Sequence, residues 1–292
     1  MVIKAEKFPL PGETILGGKF FMFPGGKGAN QAVAASRLGG DTTFIAKVGN
    51  DIFGKQALQQ FKKEGINSTY IVSDPENPSG VALITVDAKG ENTIVVAQGS
   101  NAALTIDDVN KAEKLFDDHE IILMQLEIPI QTVMHAALLA TKRGKKVILN
   151  PAPAMPLPQQ LLQALYIITP NKAETEALSG TEITEERSIV EAAKKIKEKG
   201  VENVVVTLGS QGAFIYNNDG GRFIKAPIVL AVDTTAAGDV FNGALAVGLS
   251  ENLKLDEAVD FANRAAAISV TRMGAQASAP FRKEITNSIP IL

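Results

Sequence analysis

Asp239 has the strongest claim to chemistry in this chain, because of what precedes it. It closes the run Asp233-Thr-Thr-Ala-Ala-Gly-Asp239, which continues as Val-Phe-Asn242. The apolar segment Ile228–Val232 reads as a strand that turns into a helix opening at Ala236, Ala237 and Gly238. The first turn of a helix carries unpaired N–H groups that attract anions, most openly where side chains are small. A carboxylate set into such an anion hole suits phosphoryl transfer to an alcohol. The base takes the hydroxyl proton while fixed dipoles meet the developing charge. The same carboxylate could simply cap the helix, as Asp often does.

A second cluster, Phe23-Pro-Gly-Gly-Lys-Gly-Ala-Asn-Gln31, precedes a small-residue helix over Ala32–Leu38. Gly25, Gly26 and Gly28 permit unusual backbone angles and close approach of a polar ligand. Lys27, Asn30 and Gln31 supply donors and acceptors suited to sugar hydroxyls. Gly28 stands where a Walker A loop requires Ser or Thr, and the dinucleotide-binding fingerprint is absent. An ordinary loop-to-helix turn is the plainer alternative.

Together these runs resemble the signatures of the ribokinase-like (PfkB) family of carbohydrate kinases. Residues 25–30 match the first signature and residues 233–239 the second. Asn150-Pro-Ala-Pro-Ala154 and Gly274-Ala-Gln-Ala-Ser278 match further family stretches, and the resemblance runs in order over residues 6–282. It implies ATP-dependent phosphorylation of ribose on its primary hydroxyl at carbon 5, with Asp239 as base. The alternatives are a kinase of deoxyribose, fructose or adenosine in the same family, or a catalytically impaired sugar-binding relative. Gly26, Lys27, Gly28, Ala29, Asn30 and Glu127 would hold the sugar. Glu127 follows the apolar run Ile121–Leu126, beyond the strand end where open α/β sheets place ligands. On the nucleotide side the resemblance implies ATP contacts from Asn171, from Thr207, Leu208, Gly209, Ser210, Gln211 and Gly212, from Ala236, Ala237 and Gly238, and from Asn263. Glu174, with Asn171, would arrange Mg²⁺ through water. Without the family, Asn171 and Glu174 form a helix capping box, and Gly209 and Gly212 make a turn between strands. A monovalent-cation site, K⁺ in such enzymes, falls on Asp233, Thr235, Ser269, Arg272, Gly274 and Ser278, mostly through backbone oxygens.

Composition narrows the partners. The 292 residues are 45% hydrophobic, enough to bury a substantial core. A net charge of −3 argues against nucleic acid as a partner, since that role needs a basic face. The chain has no cysteine, which excludes disulfides and thiolate chemistry and suits a cytoplasmic enzyme. Its two histidines, His119 and His135, lie outside every motif, so a zinc site is not expected. Residues 1–7 alternate in charge and lack the apolar stretch of a signal peptide, and no apolar run approaches membrane-spanning length.

The elements that must position these residues alternate in type. Strands are expected at Thr43–Val48, Ile121–Leu126, Lys146–Leu149, Tyr166–Ile168 and Asn203–Leu208. Helices are expected near Gly54–Lys63, Ile130–Arg143, Asn171–Ser179, Ser188–Lys199, Ala236–Ser250 and Leu255–Thr271. Continuous apolar runs between helices predict an α/β fold, a mostly parallel central sheet sandwiched by helices. No linker splits residues 1–292, so one domain is expected. A hairpin at Gly80–Ala97 and patches within Val2–Phe23 break the rhythm. In the resembled family such segments, here about 1–24 and 78–99, form a small β lid that excludes water from the sugar and carries a homodimer contact.

One departure stands at the amino terminus. The family normally opens with an apolar strand of the parallel sheet and a loop whose Asp binds sugar. Aligned through Phe8–Thr14, that Asp falls immediately before Met1, so Met1 is expected to be an internal methionine. The chain as written would then be poorly stable, with a neighbouring strand edge uncovered. It would also bind ribose less tightly by about 2–3 kcal/mol, roughly a hundredfold in affinity.

Overall fold

The computed structural model describes residues 1–286. In chain order the elements are β1 (Val2–Lys4), β2 (Lys19–Phe21), α1 (Lys27–Arg37), β3 (Ala46–Gly49), α2 (Ile52–Lys63), β4 (Ile71–Asp74), β5 (Val81–Val86) and β6 (Asn92–Ala97). There follow α3 (Ile106–Lys111), α4 (Leu115–Asp118), β7 (Ile121–Met124), α5 (Ile130–Lys142), β8 (Lys146–Leu149), α6 (Gln159–Gln163), β9 (Ile167–Ile168), α7 (Lys172–Ser179) and α8 (Glu186–Lys197). The chain continues through β10 (Asn203–Thr207), β11 (Ala213–Asn217), β12 (Gly220–Ile224), α9 (Ala237–Ser250), α10 (Leu255–Ser269) and α11 (Arg282–Thr286). None of the described helices is long and apolar enough to cross a membrane.

The central sheet runs β12-β11-β10-β9-β8-β7. From β7 to β10 the strands are parallel, and β11 and β12 add an antiparallel hairpin that the sequence reading passed over. Alternation along each strand divides the core in two, because successive side chains point to opposite faces. Ile148, Ile167, Val205 and Ile215 pack against α1, α9 and α10. Val147, Leu149, Ile168, Val204, Val206 and Phe214 pack against α5, α6 and α8. The expected sandwich of helices about a mostly parallel sheet is therefore present.

Three expectations are corrected. β3 does not join the central sheet; it pairs in parallel with β4 alone, as a separate two-stranded sheet. Among the described residues the outer edge of β7 then lacks a ladder partner. Ile228–Val232 is not a strand. Its apolar side chains Ile228, Leu230 and Val232 are exposed, no neighbouring strand pairs with it, and Val232 donates instead to the Val270 carbonyl at 2.7 Å. The glycine cluster does not precede the helix either. α1 begins at Lys27, so Lys27–Gln31 are its first turns, and Gly26 is its N-cap with φ +91°.

A second sheet, ordered β2-β1-β5-β6, stands apart from the body as the expected lid. β1 pairs antiparallel with β2 and parallel with β5, and β5 and β6 form the expected hairpin. Its root is bonded to the body through Asp51, the N-cap of α2. The Asp51 carboxylate accepts from the Gly54 N–H at 2.8 Å, the Ser79 N–H at 2.7 Å and the Ser79 hydroxyl at 2.8 Å.

Candidate active site

The carboxyl ends of the parallel strands meet the N-termini of α1 and α9, and most of the expected site residues lie there. Open α/β sheets place their ligands at this edge. What brings the two helices together is Gly243 on α9. A Cβ there would stand 2.7 Å from the Gln31 carbonyl oxygen and 2.8 Å from the Ala34 Cβ, so only glycine permits so close a crossing. α1 is also held at its far end. Arg37 pairs with Glu64 at 2.7 Å and donates to the carbonyls of Gln276 and Ala279 at 2.9 and 2.8 Å.

The close crossing sets α1 side chains against Asp239. Asn30 Nδ2 donates to Asp239 Oδ2 at 2.8 Å, and Gln31 Nε2 donates to Oδ1 at 3.0 Å. Asp239 is 7% exposed. It does not cap its own helix, because the N-cap is Ala236, in the left-handed region at φ 61°. Burial pushes the Asp239 pKa up, against the Asn30 and Gln31 bonds and the Lys27 charge, which favour the ionised form.

The first i→i−4 bond of α9 runs from the Val240 N–H to the Ala236 carbonyl at 2.9 Å. The N–H groups of Gly238 and Asp239 precede it and belong to the unpaired helix start. The Ala237 N–H is drawn into the turn by the Thr234 carbonyl at 3.2 Å, which narrows the expected anion hole of residues 236–239. Gly238 is exposed, and nothing stands within 4 Å of the position a Cβ would take. A ligand oxygen can approach that backbone directly.

Glu127 lies across the start of α1, where its Oε2 accepts the Lys27 N–H at 2.9 Å. Burial raises its pKa, opposed by the bond and charge of Lys27 and reinforced by Asp239. Glu174 on α7 is raised in the same way, by burial first and by Asp239 as well. The Lys27 charge thus acts on Glu127, Glu174 and Asp239 alike. Gly26, Gly28 and Ala29 line the same helix start. The Asn30 Oδ1 is buried without a hydrogen-bond partner.

Asn171 and Glu174 form a reciprocal capping box. Asn171 Oδ1 accepts the Glu174 N–H at 2.9 Å, and Glu174 Oε2 accepts the Asn171 N–H at 2.8 Å. Thr207 lies beside them, its N–H donating to the Pro170 carbonyl at 2.9 Å. Leu208 and Gly212 close a tight loop, with Gly209, Ser210 and Gln211 exposed at its tip. Asn263 stands further off. It is buried, and its amide donates to the Ile224 carbonyl at 3.0 Å, so it reaches this region through the end of β12.

The implied cation positions fall on two stitched loops. The Asp233 carboxylate accepts from the Thr235 N–H and the Gly274 N–H, each at 2.9 Å. Burial works to raise the Asp233 pKa, but the Thr235 and Gly274 bonds outweigh it and hold the group below its ordinary value. Ser269 and Ser278 are buried, with hydroxyls turned to the Ala266 and Ala275 carbonyls at 2.8 Å, and Arg272 pairs with Glu284. Among the described residues no group of three or more His, Cys, Asp or Glu side chains converges as metal ligands.

Over residues 1–282 the chain matches a known family model, that of the pfkB family carbohydrate kinases. The chain belongs to that family. It is a sugar kinase, an enzyme that transfers a phosphoryl group to a carbohydrate. This kinase is 46% identical over 283 residues to a ribokinase of Haemophilus influenzae, covering 97% of this chain and 92% of that protein. It is also similar in structure to a ribokinase of Thermotoga maritima, with a TM-score of 0.89, 40% identity, and coverage of 98% and 94%. A ribokinase of Arabidopsis thaliana complexed with ribose and ATP gives a TM-score of 0.90 at 31% identity, covering 98% of this chain and 93% of that one.

Several residues of the kinase site escaped the sequence reading. Gln31 was assigned to sugar hydroxyls, but it is 1% exposed and its amide is committed to Asp239 and to Asn150 Oδ1 at 3.3 Å. Gln125 donates to Gln31 Oε1. Asn242 accepts the Thr169 hydroxyl at 2.7 Å and donates to the Gly238 carbonyl at 2.8 Å, buttressing the helix start. A run of uncharged amides at strand ends and helix starts was the available signal, and it says nothing about which way each amide faces.

Proposed function

We propose that this kinase phosphorylates D-ribose on its carbon-5 hydroxyl with ATP, giving ribose 5-phosphate. The observation that carries the reading is the buried Asp239 carboxylate, held by two amides beside the open N–H groups of α9. Asp239 takes the proton of the attacking hydroxyl as the oxygen–phosphorus bond forms and the bond to ADP breaks. The N–H groups of Gly238 and Asp239 face the transferring phosphoryl oxygens. Lys27, Asn30 Oδ1 and Glu127, with the backbone at Gly26, Gly28 and Ala29, hold the sugar. Residues 207–212, with Asn171, Ala236, Ala237 and Asn263 around them, receive the nucleotide.

Mg²⁺, when bound, would neutralise phosphate charge, and in this reading Glu174 with Asn171 would hold its water shell. A monovalent cation, K⁺ in this reading, fits beside Asp233. Its ligands would come from Asp233, Thr235, Ser269, Arg272, Gly274 and Ser278, mostly through backbone oxygens, as the family resemblance implies. The buried, unpartnered Gln276 Oε1 in the same loop suits a hard cation. A cytoplasmic location fits this reading.

The lid carries a homodimer in this reading. Phe20, Ile3, Leu83 and Val95 share one face across all four strands by register, and each is between 46% and 67% exposed. An apolar stripe of this kind favours a second copy over water.

The deciding experiment is ADP production with ribose, 2-deoxyribose, fructose and adenosine, each in K⁺ and in Na⁺. Ribose is expected to give the highest kcat/KM, with stimulation by K⁺. A clear preference for another acceptor overturns the substrate assignment, and equal rates in Na⁺ overturn the cation site.

A further inference from the structure

Asp239 is oriented by α1 rather than by its own helix, and one of its two donors has no evident reason to face the right way. A glutamine amide can sit either way round, and the wrong way aims its oxygen at the carboxylate. Gln31 is held the right way by a relay that starts at the backbone. The Thr169 carbonyl can only accept, so Asn150 must give it Nδ2, at 3.2 Å. That turns Asn150 Oδ1 toward Gln31, which can satisfy it only with Nε2, at 3.3 Å. The same NH₂ group then reaches Asp239 Oδ1 at 3.0 Å. On the other side Gln31 Oε1 accepts from Gln125 Nε2, which closes the orientation from the opposite end. Asn150 and Gln31 are both buried, so no water competes for these bonds.

We propose that Gln31 is a positioning residue for the phosphoryl-transfer reaction. The Thr169–Asn150–Gln31 relay locks its amide donor onto Asp239 Oδ1, which aims the carboxylate and keeps it ionised while the sugar hydroxyl is bound. This rests on the reading of Asp239 as base. Gln31 itself touches no substrate. Burial raises the Asp239 pKa, and the Gln31 bond is one of the few influences pulling it back. The other charged groups near Asp239 are Lys27 on α1, which favours its ionised form, and Glu127 after β7 and Glu174 on α7, whose own pKa values the Asp239 charge helps to raise. A donor lost from this set shifts the balance toward the protonated carboxyl.

The test is kcat against pH for ribose-dependent ADP formation, with Gln31→Met and Gln31→Glu beside the parent enzyme. Gln31→Met keeps the length and removes the donor. Its kcat is expected to fall about 10–100-fold, with sugar and ATP KM within about threefold, and its acid limb to move up by about one pH unit. Gln31→Glu sets a second carboxyl against the first and is expected to move the limb further. Titration of ATP is common to all forms and drops out of the comparison. Folded variants whose acid limb stays in place overturn the proposal, whatever their rate, because a packing role leaves that limb unmoved. If neither variant folds, Asn150→Ala removes the acceptor that fixes Gln31 Nε2, frees the amide to turn, and decides the question by the same upward shift or its absence. An Asp239→Asn control separates the two failures. Full turnover there sinks the base assignment, whereas lost turnover with an unmoved Gln31 limb sinks only the relay.

Discussion

The strand-end cluster and the lid sheet are built on opposite plans. At the strand ends, Asp239, Gln31, Asn150, Thr169 and Asn242 are buried and bonded to one another across α1, α9 and the sheet. The lid has four short strands, and every residue of β6 is exposed. One region holds its polar groups against one another, the order that the proposed proton and phosphoryl transfer requires. The other has little of its own to bury, which suits the proposed role of a cover that opens for sugar and closes against water. The difference teaches that substitutions in the cluster should act on turnover, and those in or under the lid on sugar affinity and stability.

The largest effect should come from the cluster. Asp239→Asn is expected to lower kcat by about 10²–10⁴-fold, measured by coupled ADP release, with ATP affinity nearly unchanged. Gly243→Val tests the close crossing that delivers Asn30 and Gln31. Overpacking there should cost about 1–3 kcal/mol in chemical denaturation and at least about tenfold in kcat. A variant that loses stability but keeps its turnover would show that α1 need not sit so close.

Outside both regions an ion pair ties β3 to α3, Lys47 to Asp108 at 2.8 Å. Burial opposes ionisation of Asp108, yet the Lys47 and Thr105 bonds lower its pKa to about 2. A carboxyl depressed in the folded state stabilises above its unfolded pKa near 3.9 and loses that contribution as pH falls toward 2. Asp108→Asn should therefore cost about 2 kcal/mol at neutral pH, with the gap to the parent closing as pH falls through about 4 to 2 in urea melts. The smallest effect belongs to the lid root. Asp51→Ala removes a helix cap worth about 1 kcal/mol and loosens Ser79, so the sugar KM should rise several-fold while kcat stays within about twofold. An equal loss in kcat would mean that the lid takes part in the chemistry.

Much of the fold was legible because its signals are local. The apolar runs of β7, β8 and β10 alternate with helices whose ends lie close to where propensity puts them. The capping box of Asn171 and Glu174 can be read directly from residue types at the right spacing. Ile228–Val232 misled because a short, continuously apolar run reads as a strand whether or not a partner strand pairs with it, and among the described residues none does. The separation of β3 from β7 depends on ladder bonds, which leave no trace in either segment. In the site, Asp239 and Asn30 stood out by residue type. The role of Gln31 did not, because amide orientation is set by contacts over a hundred residues away in sequence, and Gly243 looks like any helical glycine until α1 is laid against it.

The most direct test of the central claim, that a buried Asp239 is the base, is the pH dependence of kcat for ribose phosphorylation. The carboxyl is raised by burial, so it is protonated and inactive below a pKa above the ordinary aspartate value near 3.9, and ionised and active above it. The expected profile is a plateau near neutrality that falls with a single-proton slope as pH drops through that raised value, with the residual Asp239→Asn rate lacking this limb. A parent rate that stays flat down to about pH 4, or an identical acid limb in Asp239→Asn, would contradict it.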